Sequence, residues 1–393
     1  MRAKVNYWEK WGGSELEAMA VAVRAFNASQ RDFEVDLVST GDWSSSADVD
    51  GFLEAERAGR GPDLIGLEIG EVARLAAVGA LGAIDGPAAH RVETLLRADV
   101  AGLGVWRGAR YAVPIVADLV TLYVNRTATC GTPLERGVPT SLSSFDVAIQ
   151  SMAGRKPIPF APTYPGWWPE AWPLFFGGAW FDARGRFTPK RAENQKAYEW
   201  VIGLKDRFPL GPFTAVPFPF GELSPEPFFA GEVALVLDGD WLVRRLIEER
   251  ELDWTAAPFP TADGRGGALL EADLVGIAAG ARCPEGAAAF LEFLMSAAWI
   301  ESIALGQGKV SPLVSWSPEY VAAHPNPKLG DLRAIWDRAH IFAPPAVPEW
   351  WLVRQRIRDA FRQMWCDGVC PDEALARLAE PEDPHSSNRE SDS

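Results

Sequence analysis

The chain of 393 residues is poor in the side chains that usually carry catalysis and metal binding. It has four histidines (His90, His324, His340, His385) and four cysteines (Cys130, Cys283, Cys366, Cys370). No cysteine has a CxxC partner or metal-ligand spacing with a histidine, which argues against a zinc site or any other metal centre. So few histidines leave triad or general-base chemistry short of candidates, and catalysis would have to run through carboxylates. Cys366 and Cys370 bracket a turn. They can form a local disulfide, which would fit an oxidising compartment, or remain two unlinked thiols.

Other absences narrow the field further. No run approaches the ~18 apolar residues of a membrane-spanning helix. The opening "MRAKVNYWEKWGG" has basic residues but no apolar core and no cleavage site, so it does not read as a signal peptide. Either the protein is cytoplasmic or a leader is missing from this sequence. "GLGVWRG" (102–108) puts Arg107 where a GxGxxG motif needs its third glycine, "GQGKVS" (306–311) lacks the first glycine of a Walker loop, and there is no HExxH or GxSxG. No cofactor is expected. Only 8 of the 38 basic residues are lysine, a bias that reflects a GC-rich genome more than ligand chemistry.

With 48% hydrophobic and 23% charged residues the chain should fold and stay soluble. Its length suggests two domains or one bilobed unit. A net charge of −15 argues against nucleic acid or anionic membranes as partners and suits a neutral or cationic ligand. The anomaly is 17 Trp against 6 Tyr. Trp8, Trp11, Trp43, Trp167, Trp168, Trp241, Trp350 and Trp351 all lie next to turn signals, and several of these rings are expected to face a ligand.

The first hundred residues alternate strand and helix. "KVNYW" (4–8) reads as a buried strand, and "GGSELEAMAVAVRAFN" as a helix with Ser14 and Glu17 as a capping box. "FEVDLV" (33–38) and "PDLIGLEIG" read as strands, and a helix through "EVARLAAV" stops at Gly79. Such order with short connections predicts a parallel sheet covered by helices. Further along come the strand "LVTLYVN", helices around Phe145–Met152 and Lys190–Leu204, the strand "EVALVLDGDW", the helix "WLVRRLIEE", and the segments "WTAAPFP" and "DLVGIAA". A long helix from Pro284 to about Leu305 is closed by Gly306, and the last 70 residues look helical up to a polar tail. At 100° per residue Trp350 shares a face with Val353, Ile357, Ala360, Phe361, Met364 and Trp365, while Trp351 falls about 100° away.

In order and spacing, "VNYWEKWGG…AVRAFN", "GPDLIGLEIG…LAAVGALGAID", "YAVPIVADLVTLYVN", "FFAGEVALVLDGDW", "APFPTADG", "DLVGIAA…AAAFLEFLMS" and "EALARLA" resemble the extracellular solute-binding proteins of bacterial ABC sugar importers, the maltose-binding-protein family. The resemblance spans roughly residues 3 to 380. It implies an α/β, two-lobed periplasmic-binding-protein-like fold (type II) with a ligand cleft between lobes and hinge closure. The first lobe would be 1–112 plus 260–309, the second 113–259 plus 310–383, with 384–393 a disordered tail. It further implies a monomer that acts in the periplasm or at the cell surface.

The family's site carries over by position. Asp118 interrupts an apolar run where the family has a sugar-binding carboxylate, and Trp241 in "DGDW" matches a sugar-stacking Trp with Asp240 as a polar neighbour. Trp350 and Trp351 match an aromatic pair before "x-Val-Arg", with Arg354 reaching the same site. Trp8, Glu9 and Trp11 follow the first strand. Trp43 and Glu68 follow later ones, at the strand ends where α/β sheets bind ligands. Trp167, Trp168 and Asp273 complete the set. Each could instead serve the fold.

The implied function is non-catalytic capture of a mono- or oligosaccharide and its delivery to ABC permease subunits. Two rivals share the features. Trp and carboxylates can cage a cationic amine or quaternary ammonium, and Trp platforms with paired acids also describe glycoside hydrolases. A cytoplasmic sensor or lectin would reuse the same fold.

Overall fold

The structure is a computed structural model that describes residues 2–40, 46–154, 156–161, 168–208, 226–249 and 251–380, with backbone only for 46–48. Trp43, Trp167 and the tail 384–393 lie outside the described residues. The chain divides into two compact units, Met1–Thr121 with Asp238–Glu251 and Ala268–Trp351, and Leu122–Leu237 with Leu252–Gly267 and Leu352–Ser393. Asp238–Glu251 and residues 310–351 thus pack with the first unit, where the resemblance had put them in the second lobe. Arg244 NH2 donates to the Gln307 carbonyl at 3.4 Å and Val310 N to Asp240 Oδ2 at 3.2 Å, which ties these stretches together.

Ten strands are described: β1 (Ala3–Glu9), β2 (Phe33–Ser39), β3 (Leu64–Glu68), β4 (Val105–Trp106), β5 (Ala109–Arg110), β6 (Ala112–Asn125), β7 (Leu235–Asp238), β8 (Trp254–Ala257), β9 (Gly267–Ile277) and β10 (His340–Phe342). In the first unit the order is β2-β1-β3-β9-β6, with β10 also on β9. β1 pairs parallel with β2 and β3, and β9 runs antiparallel to β3 and to β6. Side chains alternate across the sheet. Tyr7 packs with Phe290 of the helix Pro284–Leu294 at 6.0 Å between centroids, while Ile65 and Leu67 join Phe52, Val72 and Leu75 in a cluster on the other side. Helices therefore cover both faces of a partly parallel sheet, as the strand–helix alternation predicts.

In the second unit the remainder of β6 pairs antiparallel with β8, Leu122 opposite Ala257, and neighbours β7. Its core is aromatic: Phe175 stacks on Phe259 at 4.3 Å, with Phe145, Phe160 and Trp172 around them. Much of the tryptophan excess is used this way, since Trp172, Trp180, Trp254 and Trp365 of this unit are all buried, as is Trp336 in the first.

Two local expectations are corrected and one open alternative is decided. The helix Gly13–Ser29 has Gly12 as its N-cap and no side-chain cap. Ser14 instead accepts a hydrogen bond from Arg244 and Glu17 pairs with Arg24, so the capping box does not form. The single helix from Pro284 is two, Pro284–Leu294 and Ala297–Gln307, bent by 78°. Ser296 caps the second by accepting from Trp299 N, and the helix runs past Gly306 to Gly308 at φ +73°. Finally, all four cysteines are free thiols, with Cys366 ending the helix Trp350–Cys366 and Cys370 preceding Pro371–Ala379.

Candidate functional site

The strand ends of the first unit gather charge. Lys10, just after β1, contacts Asp273 of β9 and lies 3.8 Å from Glu68 at the end of β3. The register that sets Glu68 opposite Asp273 brings both acids to one spot. Lys309, beyond the helix Ala297–Gln307, sits 2.9 Å from Asp273 Oδ2, 3.2 Å from Asp118 Oδ2 and 3.3 Å from Glu15 Oε1. Asp118, Asp240, Asp273 and Lys309 are all buried.

Burial would neutralise these groups one by one, and pairing prevents it. Burial pulls both lysines down, but Asp273 and Glu68 more than offset it at Lys10, as Asp118, Asp273 and Glu15 do at Lys309. Both therefore stay protonated. Asp273 is pushed up by burial and brought well below its usual range by Lys10 and Lys309. Asp118 is raised by burial, against the pull of Lys309, and Asp240 is raised much further by burial and by the Asp118 charge. The two carboxyls hydrogen-bond to each other. That contact needs one proton, held between the two carboxyls. Among the described residues neither Asp118 Oδ1 nor Asp240 Oδ1 has a nitrogen or hydroxyl donor.

Glu9 points to the Tyr7 side of β1. The Tyr7 hydroxyl and Lys10 N, the latter at 2.8 Å, donate to its carboxyl, and burial pushes it up to about 7. Its Oε1 lies 2.2 Å from where a side-chain carbon at position 66 would stand, so only Gly66 leaves room for it. Trp11 is buried with its ring centroid 5.8 Å from Lys309 Nζ. Trp8 sits half-buried on the opposite face of β1.

The "DGDW" segment divides its labour. Asp238 accepts from Gly239 N at 2.8 Å and from the Trp241 side chain, and burial raises it to about 7. The Trp241 ring folds over Gly239, where a Cβ would lie 2.2 Å from it, so that position must be glycine. Asp240 turns inward to Asp118 and Val310 N, leaving Trp241 half-buried at the start of the helix Leu242–Glu248.

Trp350 and Trp351 both pack in the first unit. Trp350 is 3% exposed, its ring edge against Gly70. Trp351 is half-buried, with the Arg74 guanidinium 4.0 Å over its ring. In the second unit Arg354 Nε donates to Glu170 Oε1 at 2.5 Å, and Trp168 is buried. The expected residues Glu9, Trp11, Glu68, Asp118, Asp240 and Asp273 thus converge around Lys10 and Lys309, two residues that sequence reasoning passed over. Trp241 adjoins them through Asp240, whereas Trp350 with Trp351 and Trp168 with Arg354 have other neighbours. Asp238, Glu170 and Arg74 were also missed.

Residues 12–301 match the family described as bacterial extracellular solute-binding protein. No curated protein matches the chain. Among solved structures, the chain is similar to CpMnBP1 with mannotriose bound, at 19% identity over 96% of this chain and 99% of that one, TM-score 0.78. It is similar also to the cyclic alpha-maltosyl-1,6-maltose binding protein of Arthrobacter globiformis, at 18% identity, 96% and 97% coverage and TM-score 0.76. A third likeness is to the maltose-maltodextrin binding protein of Alicyclobacillus acidocaldarius, at 16% identity, 95% and 98% coverage and TM-score 0.75. Identities this low speak for the fold.

Proposed function

The chain belongs to the bacterial extracellular solute-binding protein family, and from that premise we propose that it is the carbohydrate-binding component of an ABC importer. It binds a mono- or oligosaccharide without chemistry, acts outside the cytoplasmic membrane as a monomer, and hands its ligand to a membrane permease. The solved relatives named above carry mannotriose or are described as binding cyclic alpha-maltosyl-1,6-maltose or maltose and maltodextrin, which favours a saccharide over other solutes.

The observation that carries the reading is the pairing of half-buried, braced indoles with a buried lysine–carboxylate network in one unit. Trp241 is braced by Asp238 and Gly239, and Trp351 by Arg74. A pyranose offers an apolar C–H face to such a ring, worth about 1 kcal/mol beyond area by analogy with aromatic pairs. Its hydroxyl rim takes charge-assisted hydrogen bonds, and each buried hydroxyl left unpaired costs roughly 1–3 kcal/mol, which makes the site selective. Micromolar affinity requires about −8 kcal/mol, within reach of two or three rings and a few such bonds. In the first unit we assign Trp8, Trp241, Trp351, Glu68 and Asp118 to ligand contact, with Glu9, Trp11, Asp240, Asp273 and Trp350 behind them, and in the second unit, separately, Arg354.

We read the site as non-hydrolytic. Asp118 and Asp240 hydrogen-bond to each other, so this pair lacks the ~5 Å or wider separation of a glycosidase's two acids. Incubation with candidate oligosaccharides should release no new reducing ends. The cationic-ligand reading draws on the acidity of the chain. Calorimetric titration of mannotriose, maltotriose and choline at two salt concentrations decides between them, since a neutral sugar binds nearly independently of salt and a cation does not.

A further inference from the structure

Arg74 lies in the helix Val72–Ala77 with only 11% of its side chain exposed. Its NH2 is 2.5 Å from Asp50 Oδ1 and its NH1 3.5 Å from Glu71 Oε2, while the guanidinium carbon stands 4.0 Å over the Trp351 ring. Three contacts thus fix the guanidinium: two carboxylates on its edges and an indole against its plane. Among the described residues Arg74 Nη1 makes no hydrogen bond and meets Glu71 only as an ion pair.

An apolar side chain would cover the same ring without desolvating a charge. What an arginine adds is flatness. A planar cation held by its edges sets the tilt of the ring it lies on, which a Leu or Lys cannot do. Trp350 next to it is buried against Gly70, so the helix start is anchored and the second indole has little freedom left except at its own torsions. One face of Trp351 lies against the Arg74 guanidinium, and the half-buried ring keeps part of its surface exposed.

We propose that Arg74 is a positioning residue of the ligand site, backing Trp351 so that its free face is presented to the sugar in a fixed orientation. The inference rests on the reading of Trp351 as a sugar platform. Pre-ordering an indole before binding removes part of the entropy cost of ordering it in the complex. Arg74 contributes to affinity through the ring and touches no sugar itself.

The test is a double-mutant cycle read by calorimetric titration with mannotriose and maltotriose, alongside the melting temperature of each variant. Arg74→Met should weaken the better of the two sugars by roughly tenfold, and Arg74→Lys should fail to restore it. In a Trp351→Ala background the same Arg74→Met change should cost less than twofold, because a residue acting through the ring has nothing left to position. Equal loss in both backgrounds, full rescue by lysine, or wild-type affinity in Arg74→Met would each overturn the proposal while leaving sugar binding intact. If the wild-type protein binds neither these nor other sugars, the functional reading falls and this inference with it. Should Arg74→Met not fold, Asp50→Asn, which loosens the exposed side of the clamp, takes its place with a smaller loss and the same required dependence on Trp351.

Discussion

Lys309 Nζ stands 3.2 Å from Asp118 Oδ2 in the buried part of the first unit. A residue of an otherwise incomplete phosphate-loop pattern therefore compensates the acid that interrupts an apolar strand. The same ammonium reaches Asp273 and Glu15, so it is the hub on which three carboxylates depend.

Lys309→Met should accordingly be among the most destabilising single changes. It leaves the buried Asp118 without its lysine partner, while Asp273 keeps Lys10, a loss of ~3–5 kcal/mol for a broken buried pair. Urea unfolding at pH 8 and pH 5 checks it. The variant should recover part of the loss at pH 5, where the buried Asp118, raised by burial and freed from Lys309, can take up a proton, and a variant equally stable to wild type at pH 8 would contradict the account.

Asp238 gives a pH dependence of defined sign. Its carboxyl is raised from 3.8 to about 7 by burial, so the folded state binds the proton more tightly than the unfolded chain. That contribution is fully present below the unfolded value near 4 and is lost as pH rises to about 7. The gap corresponds to at most ~4 kcal/mol. Asp238→Asn, which keeps an acceptor for the Trp241 ring, should flatten the stability profile between pH 4 and pH 7. An unchanged slope in denaturant titrations across that range would count against it.

The two adjacent tryptophans should separate. Trp350→Ala opens a cavity at a site 3% exposed and should cost about 3–5 kcal/mol of stability. Trp351→Ala removes a half-buried ring and one cation–π contact, and should cost no more than ~2 kcal/mol while reducing sugar affinity. Melting temperatures and titrations on both variants decide, and equal destabilisation would break the distinction.

Arg354→Ala leaves Glu170 buried, its second oxygen, Oε2, already without a hydrogen-bond partner among the described residues. Loss of affinity accompanied by loss of stability is expected, because the remaining carboxylate has no cation. Arg354→Ala together with Glu170→Gln should restore most of the stability and none of the affinity, as thermal melts and titrations on the double variant would reveal.

Much of the first unit was legible in the sequence because its strands and helices carry regular apolar periods. "KVNYW", "FEVDLV" and "PDLIGL" became neighbours in one sheet with parallel β1 at its centre. The break at Ser296 was hidden because "FLMSAAWI" stays apolar straight through the bend. The carboxylates of the site could be picked out as acids in apolar runs. Lys10 and Lys309 could not, since their partners lie far away in sequence and a lysine between glycines or tryptophans carries no periodic signal. Trp11 and Trp168 looked like ligand platforms beside their turns. Burial follows from tertiary neighbours, Lys309 above Trp11 for one, that no local pattern encodes. The helical wheel did separate Trp350 from Trp351, but it gave no hint of Arg74 on the second ring.

The most direct test of the central claim is calorimetric titration of the intact protein with a panel of mono- and oligosaccharides, including mannotriose and maltotriose, against choline and spermidine. The account predicts saturable binding of at least one sugar at micromolar concentration, quenched or shifted Trp emission on binding, and little change in affinity between low and physiological salt. Binding of the amines with no response to any sugar would contradict it.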